Sequence, residues 1–283
     1  MVIDGKKIAE EIIENLKKQP KSKKFLSAFL VGENPASVSF LKQKETVAKE
    51  LEIDFRLYRF PNSITQDELR KEVLKIANHK TCGGVIVQLP LPEPINRYYV
   101  CNVIPREKDV DVLGERALGA FYTGRNKVLP PAAGVLEKIL QVTGYSLQDA
   151  KVAVVGLGFL VGKPIATWLT RLASDESKRV GKVSELYLLD KGSDLTSPEG
   201  KLKEADIVIS GVGKSGLINS EMLKNNAIVI DFGYSMIDGK VHGDFNASAL
   251  DPNRHTLTYT PTPGGTGPVL VAQLFENFYR LNS

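Results

Sequence analysis

A chain of 283 residues, 42% hydrophobic and 25% charged, has the make-up of an ordinary globular protein of about two domains, which excludes a disordered chain, a collagen-like repeat and a small disulfide-stapled scaffold. Its 37 Lys and Arg against 33 Asp and Glu leave a formal +4 spread along the chain, and the densest basic run, 17–24, is too short to track a nucleic acid. No apolar run approaches the ~20 residues that span a bilayer, a charge at the fourth residue argues against a signal-peptide core, and Cys82 and Cys101 lack metal-ligand spacing, so a reducing cytoplasm and no bound metal are expected.

The first half alternates helical and strand patterns. Residues 6–18 carry Ile8, Ile12, Ile13 and Leu16 at helical spacing. Residues 25–31 form a buried strand, 36–51 a helix with Pro35 near its start, and 53–60 a second strand. Thr65 with Glu68 three residues on opens a helix through a capping box, and 84–88 is a third strand. The βα succession predicts a parallel sheet covered on both faces. A helix at 130–143 carries the chain into a second series, with strands at 152–155, 186–189, 207–210 and 228–230 and a helix around 163–172. The polar segment 174–182 reads as an exposed loop. The last helix, 267–281, follows the turn Pro261-Thr-Pro-Gly-Gly265 and is expected to pack back on the first domain.

Gly156-Leu157-Gly158-Phe159-Leu160-Val161-Gly162 follows a strand and opens a helix, the context in which glycines bring a backbone close to a pyrophosphate. The third glycine comes one residue later than in the commonest spacing. Asp190 ends the next strand, where a carboxylate binds the ribose 2′-hydroxyl of NAD and repels the 2′-phosphate of NADP. Gly211 and Gly213, after the strand at 207–210, complete the expected cofactor-binding set with Gly156, Leu157, Gly158, Val161, Gly162 and Asp190. In the first domain Ser37, Phe40 and Lys44 share one helical face, a polar Gln88 ends an apolar strand, and Lys108-Asp-Val-Asp111 places two carboxylates in a loop. Singly these read as a solvated lysine, a strand-end amide, and a cap formed by Asp109 or Asp111.

Taken together and in order, Pro35-Ala-Ser37, Val85-Ile-Val-Gln-Leu-Pro-Leu-Pro92, Lys108-Asp-Val-Asp111, Val161-Gly-Lys-Pro164, Val229-Ile-Asp231 and Pro263-Gly-Gly-Thr-Gly-Pro268 resemble the bifunctional methylenetetrahydrofolate dehydrogenase/cyclohydrolase family over nearly the whole chain. The resemblance implies a two-domain α/β fold: an N-terminal α/β catalytic domain and a Rossmann-type dinucleotide-binding domain with a cleft between them. The expected division is 1–120 for the folate domain, 121–259 for the dinucleotide domain, and 260–283 returning to the first. The implied reactions are oxidation of 5,10-methylenetetrahydrofolate by a nicotinamide cofactor and hydrolysis of the methenyl product to 10-formyltetrahydrofolate. Lys44 matches the acid/base lysine, Gln88 the glutamine that orients it, and Asp111 the carboxylate that receives the pterin N–H groups. Ser37, Phe40, Pro263, Gly264 and Gly265 match substrate-binding positions.

A folate substrate, a homodimer, no nucleic acid and no membrane follow by the same resemblance. Several positions depart from the pattern. Phe40 replaces a tyrosine, Val112 a glycine, Val269-Leu270 a Met-Thr pair, and Pro130-Pro-Ala-Ala-Gly134 lacks a threonine. Leu157-Gly158 replaces the Arg-Ser that serves an NADP 2′-phosphate, and Asp190 a histidine, so NAD is expected over NADP. A dehydrogenase of the same fold with another substrate, and a non-catalytic folate- or nucleotide-binding paralogue, stand as alternatives.

Overall fold

The computed structural model describes residues 1–172, 182–195, 200–250 and 256–283; all but the last residue of the segment 174–182 lies outside them. The chain divides into two compact units, residues 10–131 with 271–283, and residues 1–9 with 132–270. The expected boundaries near 120 and 259 thus fall at 131 and 270, and the first nine residues group with the second series. The physical reasons are specific. Ile3 N–H donates to the Tyr259 carbonyl at 2.8 Å and Tyr259 N–H to the Met1 carbonyl at 3.0 Å, so the first residues extend a sheet edge of the second unit. Asn277, fully buried, donates to the carbonyls of Val110 and Leu129 at 2.8 Å each, which ties the C-terminal residues to the first unit.

The first unit is built on the greater part of α1 (Gly5–Lys17), with β1 (Phe25–Val31), α2 (Pro35–Glu50), β2 (Phe55–Phe60), α3 (Gln66–Ala77), β3 (Cys82–Val87), α4 (Arg97–Cys101) and α5 (Glu115–Tyr122). Its sheet is parallel in the order β2-β1-β3. Every residue of β1 and β3 is buried, whereas β2 at the edge is half-exposed, as continuous apolar runs in covered parallel strands require. Strand β2 starts two residues later than the pattern predicts, because Ile53 N–H bonds back to the Ala48 carbonyl and still closes α2. The capping box of Thr65 and Glu68 is formed. The pattern gives no warning of α4 and α5. The first is a single turn capped by Asn96, whose side chain accepts from Tyr98 and Tyr99 N–H; the second follows a turn held by a buried carboxylate described below.

The second unit contains β4 (Lys151–Val155), α7 (Gly162–Leu172), β5 (Glu185–Leu189), α8 (Lys201–Glu204), β6 (Ile207–Ser210), β7 (Ile228–Asp231), β8 (Ser235–Ile237), β9 (Lys240–His242) and β10 (Thr258–Tyr259), while α6 (Pro131–Thr143) and α9 (Thr266–Asn282), like α1, cross the unit boundaries. The sheet order β10-β7-β6-β4-β5 is parallel throughout. The chain steps from β4 outward to β5 and then returns to the other side of β4 with β6. That reversal is a topological switch point, and ligands of open α/β sheets bind at the carboxyl ends of the strands flanking it. Val155, Val208, Val229, Ile218 and Phe245 form the adjoining core. Strands β8 and β9 make a hairpin through Asp238-Gly239, both at positive φ, the two-residue turn that the Asp-Gly pair favours.

Candidate functional site

In the first unit the predicted residues come together at the carboxyl end of β3. Residue 88 continues the strand, its N–H bonded to the Phe29 carbonyl at 2.9 Å, and this carries the Gln88 side chain to the sheet end. Helix α2 starts at the cap of Asn34, whose Oδ1 accepts from Ser37 N–H at 3.1 Å. Two turns on, it presents Lys44, only 4% exposed. Lys44 Nζ donates to Gln88 Oε1 at 3.1 Å. Gln88 Nε2 donates to the Leu89 carbonyl at 2.8 Å, so the amide oxygen is the atom left to face a lysine that can only donate. The Phe40 ring lies one turn before, its centroid 5.2 Å from Nζ, within cation–π range. Phenylalanine in place of tyrosine therefore keeps the ring beside the cation and loses only the hydroxyl. Ser37 is buried on the same helix, with its backbone engaged in the cap.

Burial lowers the pKa of Lys44 from the usual lysine range, and the charge of Asp111 opposes the shift. Asp111 is the mirror case: desolvation raises its carboxyl and Lys44 opposes that. Each charge thus offsets part of the other's burial penalty. Asp111 and the bond to Gln88 favour the ammonium form while burial disfavours it, so neutral lysine lies closer in energy than it would at a surface.

The four residues 108–111 divide their labour. Lys108 Nζ donates to the carbonyls of Ala77 and His79 at 2.6 and 3.1 Å, a cation at the end of α3. Asp109 is fully buried; its Oδ2 accepts from Leu113 and Gly114 N–H at 2.9 and 2.8 Å, immediately before α5. Burial pushes its carboxyl up to about 7 despite those bonds. Asp109 therefore holds the turn that leads into α5, where Glu115 N–H is taken by Asn102 Oδ1 at 3.3 Å, and Asp111 is the carboxylate that couples to Lys44. Val112 has φ of +57° and is 1% exposed. A β-branched side chain in the left-handed region carries strain of about 1–3 kcal/mol, the conformation in which glycine is at ease.

The cofactor-binding candidates lie in the second unit, at the switch point. Gly156 follows β4 with φ of +85°. A Cβ on Gly162, at the start of α7, would collide with the Gly156 carbonyl. The turn is therefore a backbone cradle at a helix N-terminus that side chains cannot fill, which fits a pyrophosphate. Leu157 and Val161 are half-buried and Gly158 is exposed in this turn, and Asp190 is exposed at the end of β5, its N–H held by Ser193 Oγ at 3.0 Å. Gly211 and Gly213 follow β6 at the same end of the sheet, and Gly213 has φ of +76°. The turn holding Pro263, Gly264 and Gly265 also belongs to this unit. Gly264 has φ of +99°, and Thr266 Oγ1 donates to the Asp231 carbonyl at 2.7 Å. Val269 is fully buried and Leu270 half-buried. Among the described residues no group of His, Cys, Asp and Glu has the arrangement of a metal site, and no helix is long and apolar enough to cross a membrane.

Sequence reasoning passed over Ser210, Asp231 and Asp244. Asp231 stands at the end of an apolar strand, which is a signal of sorts. Asp244 follows a hairpin with no motif around it, and only the fold brings it to the switch point.

Comparison with known proteins agrees with both halves. Residues 3–111 match the family model for the tetrahydrofolate dehydrogenase/cyclohydrolase catalytic domain, and residues 130–283 that for its NAD(P)-binding domain. The bifunctional protein FolD of Halothermothrix orenii is 36% identical over 289 residues, covering 98% of this chain and 95% of its own. The crystal structure of the bifunctional FolD dehydrogenase/cyclohydrolase from Campylobacter jejuni superposes with a TM-score of 0.88 at 29% identity, covering 100% of this chain and 98% of that one. The Trypanosoma brucei enzyme, complexed with NADP and an inhibitor, gives a TM-score of 0.88 at 26% identity, covering 99% and 96%.

Proposed function

Because the chain belongs to the tetrahydrofolate dehydrogenase/cyclohydrolase family, we propose that Lys44 is the acid/base group of its cyclohydrolase reaction and that NAD is its preferred hydride acceptor. The observation that carries the first part is the burial of Lys44 between Gln88 and the charge of Asp111. In the oxidation, the methylene carbon of 5,10-methylenetetrahydrofolate gives up a hydride and becomes a methenyl cation; a bound nicotinamide supplies the acceptor. Hydride transfer needs alignment more than a protein acid or base. Gly156, Gly158, Val161 and Gly162 would hold the pyrophosphate, Asp190 the ribose, and Gly211 and Gly213 the far side of the site.

Hydrolysis is where protons move. Water adds to the methenyl carbon, and neutral Lys44 takes one of its protons. The ammonium then returns that proton to the ring nitrogen as the carbon–nitrogen bond opens, while the remaining hydroxyl proton leaves to solvent and the formyl group stays on the other nitrogen. A lysine works as a base near neutrality only if its pKa is depressed, and burial does that here, with Asp111 limiting the shift. The cationic substrate pushes in the same direction as burial. Gln88 aims Nζ, and Asp111 also offers an acceptor to the pterin N–H groups. Phe40 packs on the aminobenzoate.

The cofactor preference rests on Leu157, which supplies no cation, and on Asp190, which adds an anion where a 2′-phosphate would sit. The cytoplasm is the proposed compartment, in keeping with two buried free thiols, Cys82 and Cys101. Spectroscopy separates the parts of the proposal. Methylenetetrahydrofolate offered with NAD or NADP should reduce NAD preferentially, and a strong NADP preference would overturn that reading. Methenyltetrahydrofolate offered alone should be hydrolysed by the unaltered protein and not by Lys44→Ala; hydrolysis surviving that substitution would remove Lys44 from its role.

A further inference from the structure

Two fully buried carboxyl groups in the second unit have no part in the chemistry above, and both sit behind the switch point. Asp244 follows β9 and is 0% exposed. Its Oδ2 accepts from Ser210 Oγ at 2.6 Å and Val212 N–H at 2.7 Å, and its Oδ1 from Lys214 N–H at 2.7 Å. One side chain thus gathers the last residue of β6 and two backbone donors of the loop 211–214. Asp231, at the end of β7, holds the neighbouring segment in turn, with Oδ1 accepting from Gly233 N–H at 2.7 Å and Oδ2 from Phe245 N–H at 2.9 Å. The fit is close: a Cβ on Gly243 would strike Asp231 Oδ2, and one on Gly233 would strike the Asp244 carboxyl.

The clamped loop lies against the glycine turn. A Cβ on Gly211 would sit 2.6 Å from Val161 Cγ1, and one on Gly156 would sit 2.8 Å from Val212 Cγ2. No sheet ladder reaches Gly213 at φ of +76°, so the loop's shape depends on side-chain acceptors. A carboxyl group accepting two N–H bonds and one O–H bond is a strong way to supply them.

We propose that Asp244 is a positioning residue of the dinucleotide site, holding the loop 211–214 against the turn 156–162 in the shape the cofactor requires. The proposal rests on the reading of these two segments as cofactor-binding. Asp244→Asn puts an amide NH2 where one of the carboxyl oxygens accepts, so it faces donors it cannot satisfy. Ser210→Ala removes a single bond and leaves both backbone contacts, a milder change with less effect on folding.

The experiment is equilibrium binding of NADH and NADPH to the full chain, with hydrolysis of methenyltetrahydrofolate, a reaction that consumes no dinucleotide, followed in parallel. Loss of a charge-assisted bond predicts about tenfold weaker binding in Asp244→Asn, and a few-fold weakening in Ser210→Ala. Both dinucleotides should weaken by the same factor, since the loop does not distinguish their 2′ groups. The KM for methenyltetrahydrofolate should stay within about twofold in both variants, which separates positioning from general damage. NADH affinity unchanged in both variants overturns the proposal, as does a parallel loss of hydrolysis. If Asp244→Asn does not fold, unchanged affinity in Ser210→Ala is sufficient to reject it. Failure of the underlying reading is visible separately, in an unaltered protein that binds neither dinucleotide, and it takes the proposal with it.

Discussion

Gln88→Met isolates the contribution of one hydrogen bond to the proposed acid/base lysine. The substitution keeps the side-chain length and removes the one acceptor that Lys44 Nζ engages among the described residues, Gln88 Oε1 at 3.1 Å. That bond stabilises the ammonium and has nothing comparable to offer the neutral amine as a base. A hydrogen bond to a charged group contributes about 1.5–3 kcal/mol, and about 1.4 kcal/mol corresponds to one pK unit. Losing it should lower the pKa of Lys44 further, in the direction burial already takes it. The assay is the pH dependence of kcat/KM for hydrolysis of methenyltetrahydrofolate, which reports the free enzyme's titrating groups. The limb on which activity rises with pH should move acidward, with a lower plateau because the base is weaker. NADH binding, a property of the other unit, should not change. A limb that stays in place while the plateau falls would refute the argument, because it would mean that the titrating base is not the group Gln88 contacts.

Three further outcomes are expected. Leu157→Arg with Asp190→Ser supplies a cation and removes an anion at the ribose, so the NAD-to-NADP preference should shift toward NADP by at least about tenfold, and less at high salt, where exposed charges are screened; an unchanged ratio counts against the assignment of Asp190. Asn277→Ala strands the buried carbonyl of Val110 and takes a partner from the half-buried one of Leu129, and at about 1–3 kcal/mol for the buried group the denaturation midpoint should fall clearly; a change below about 0.5 kcal/mol would show that the Val110 carbonyl is not stranded. Burial raises the carboxyl of Asp231 to about 6, with Asp244 adding to the shift and the N–H groups of Phe245 and Gly233 opposing it. Since this acid is raised on folding, the native state retains a proton that the unfolded state has already lost. Its contribution to stability is therefore greatest below about pH 4 and declines as pH rises to about 6, by some 2–3 kcal/mol. Unfolding followed by Trp168, the single tryptophan, should show that the stability difference between the unaltered protein and Asp231→Asn varies over this window; a constant difference would contradict it.

Much of the architecture was legible because the signals are local. Covered parallel strands need near-continuous apolar runs, and 25–31 (interrupted only by Ser27), 152–155 and 207–209 have them. The box of Thr65 and Glu68 marks a helix start because both partners lie within one turn. The Asp238-Gly239 hairpin was equally local and could have been read from its turn residues. Helix α5 could not, since the turn before it is held by Asp109, and which of two nearby carboxylates holds that turn depends on which one is fully buried.

The site shows the same separation. Sequence alone determined which residue types stand at the strand ends, the spacing that puts Ser37, Phe40 and Lys44 on one helical face, and the family to which those strings point. It determined the missing cation at Leu157 and the added anion at Asp190 as well, because charge is a property of the residue. Only the tertiary structure decided that Lys44 is buried against Gln88, that Asp109 holds the turn before α5 while Asp111 couples to the lysine, and that Asp244 reaches back to residues 210–214. The reason is physical: a pKa and a hydrogen bond belong to an environment, and that environment is assembled from segments 30 to 45 residues or more apart in the chain.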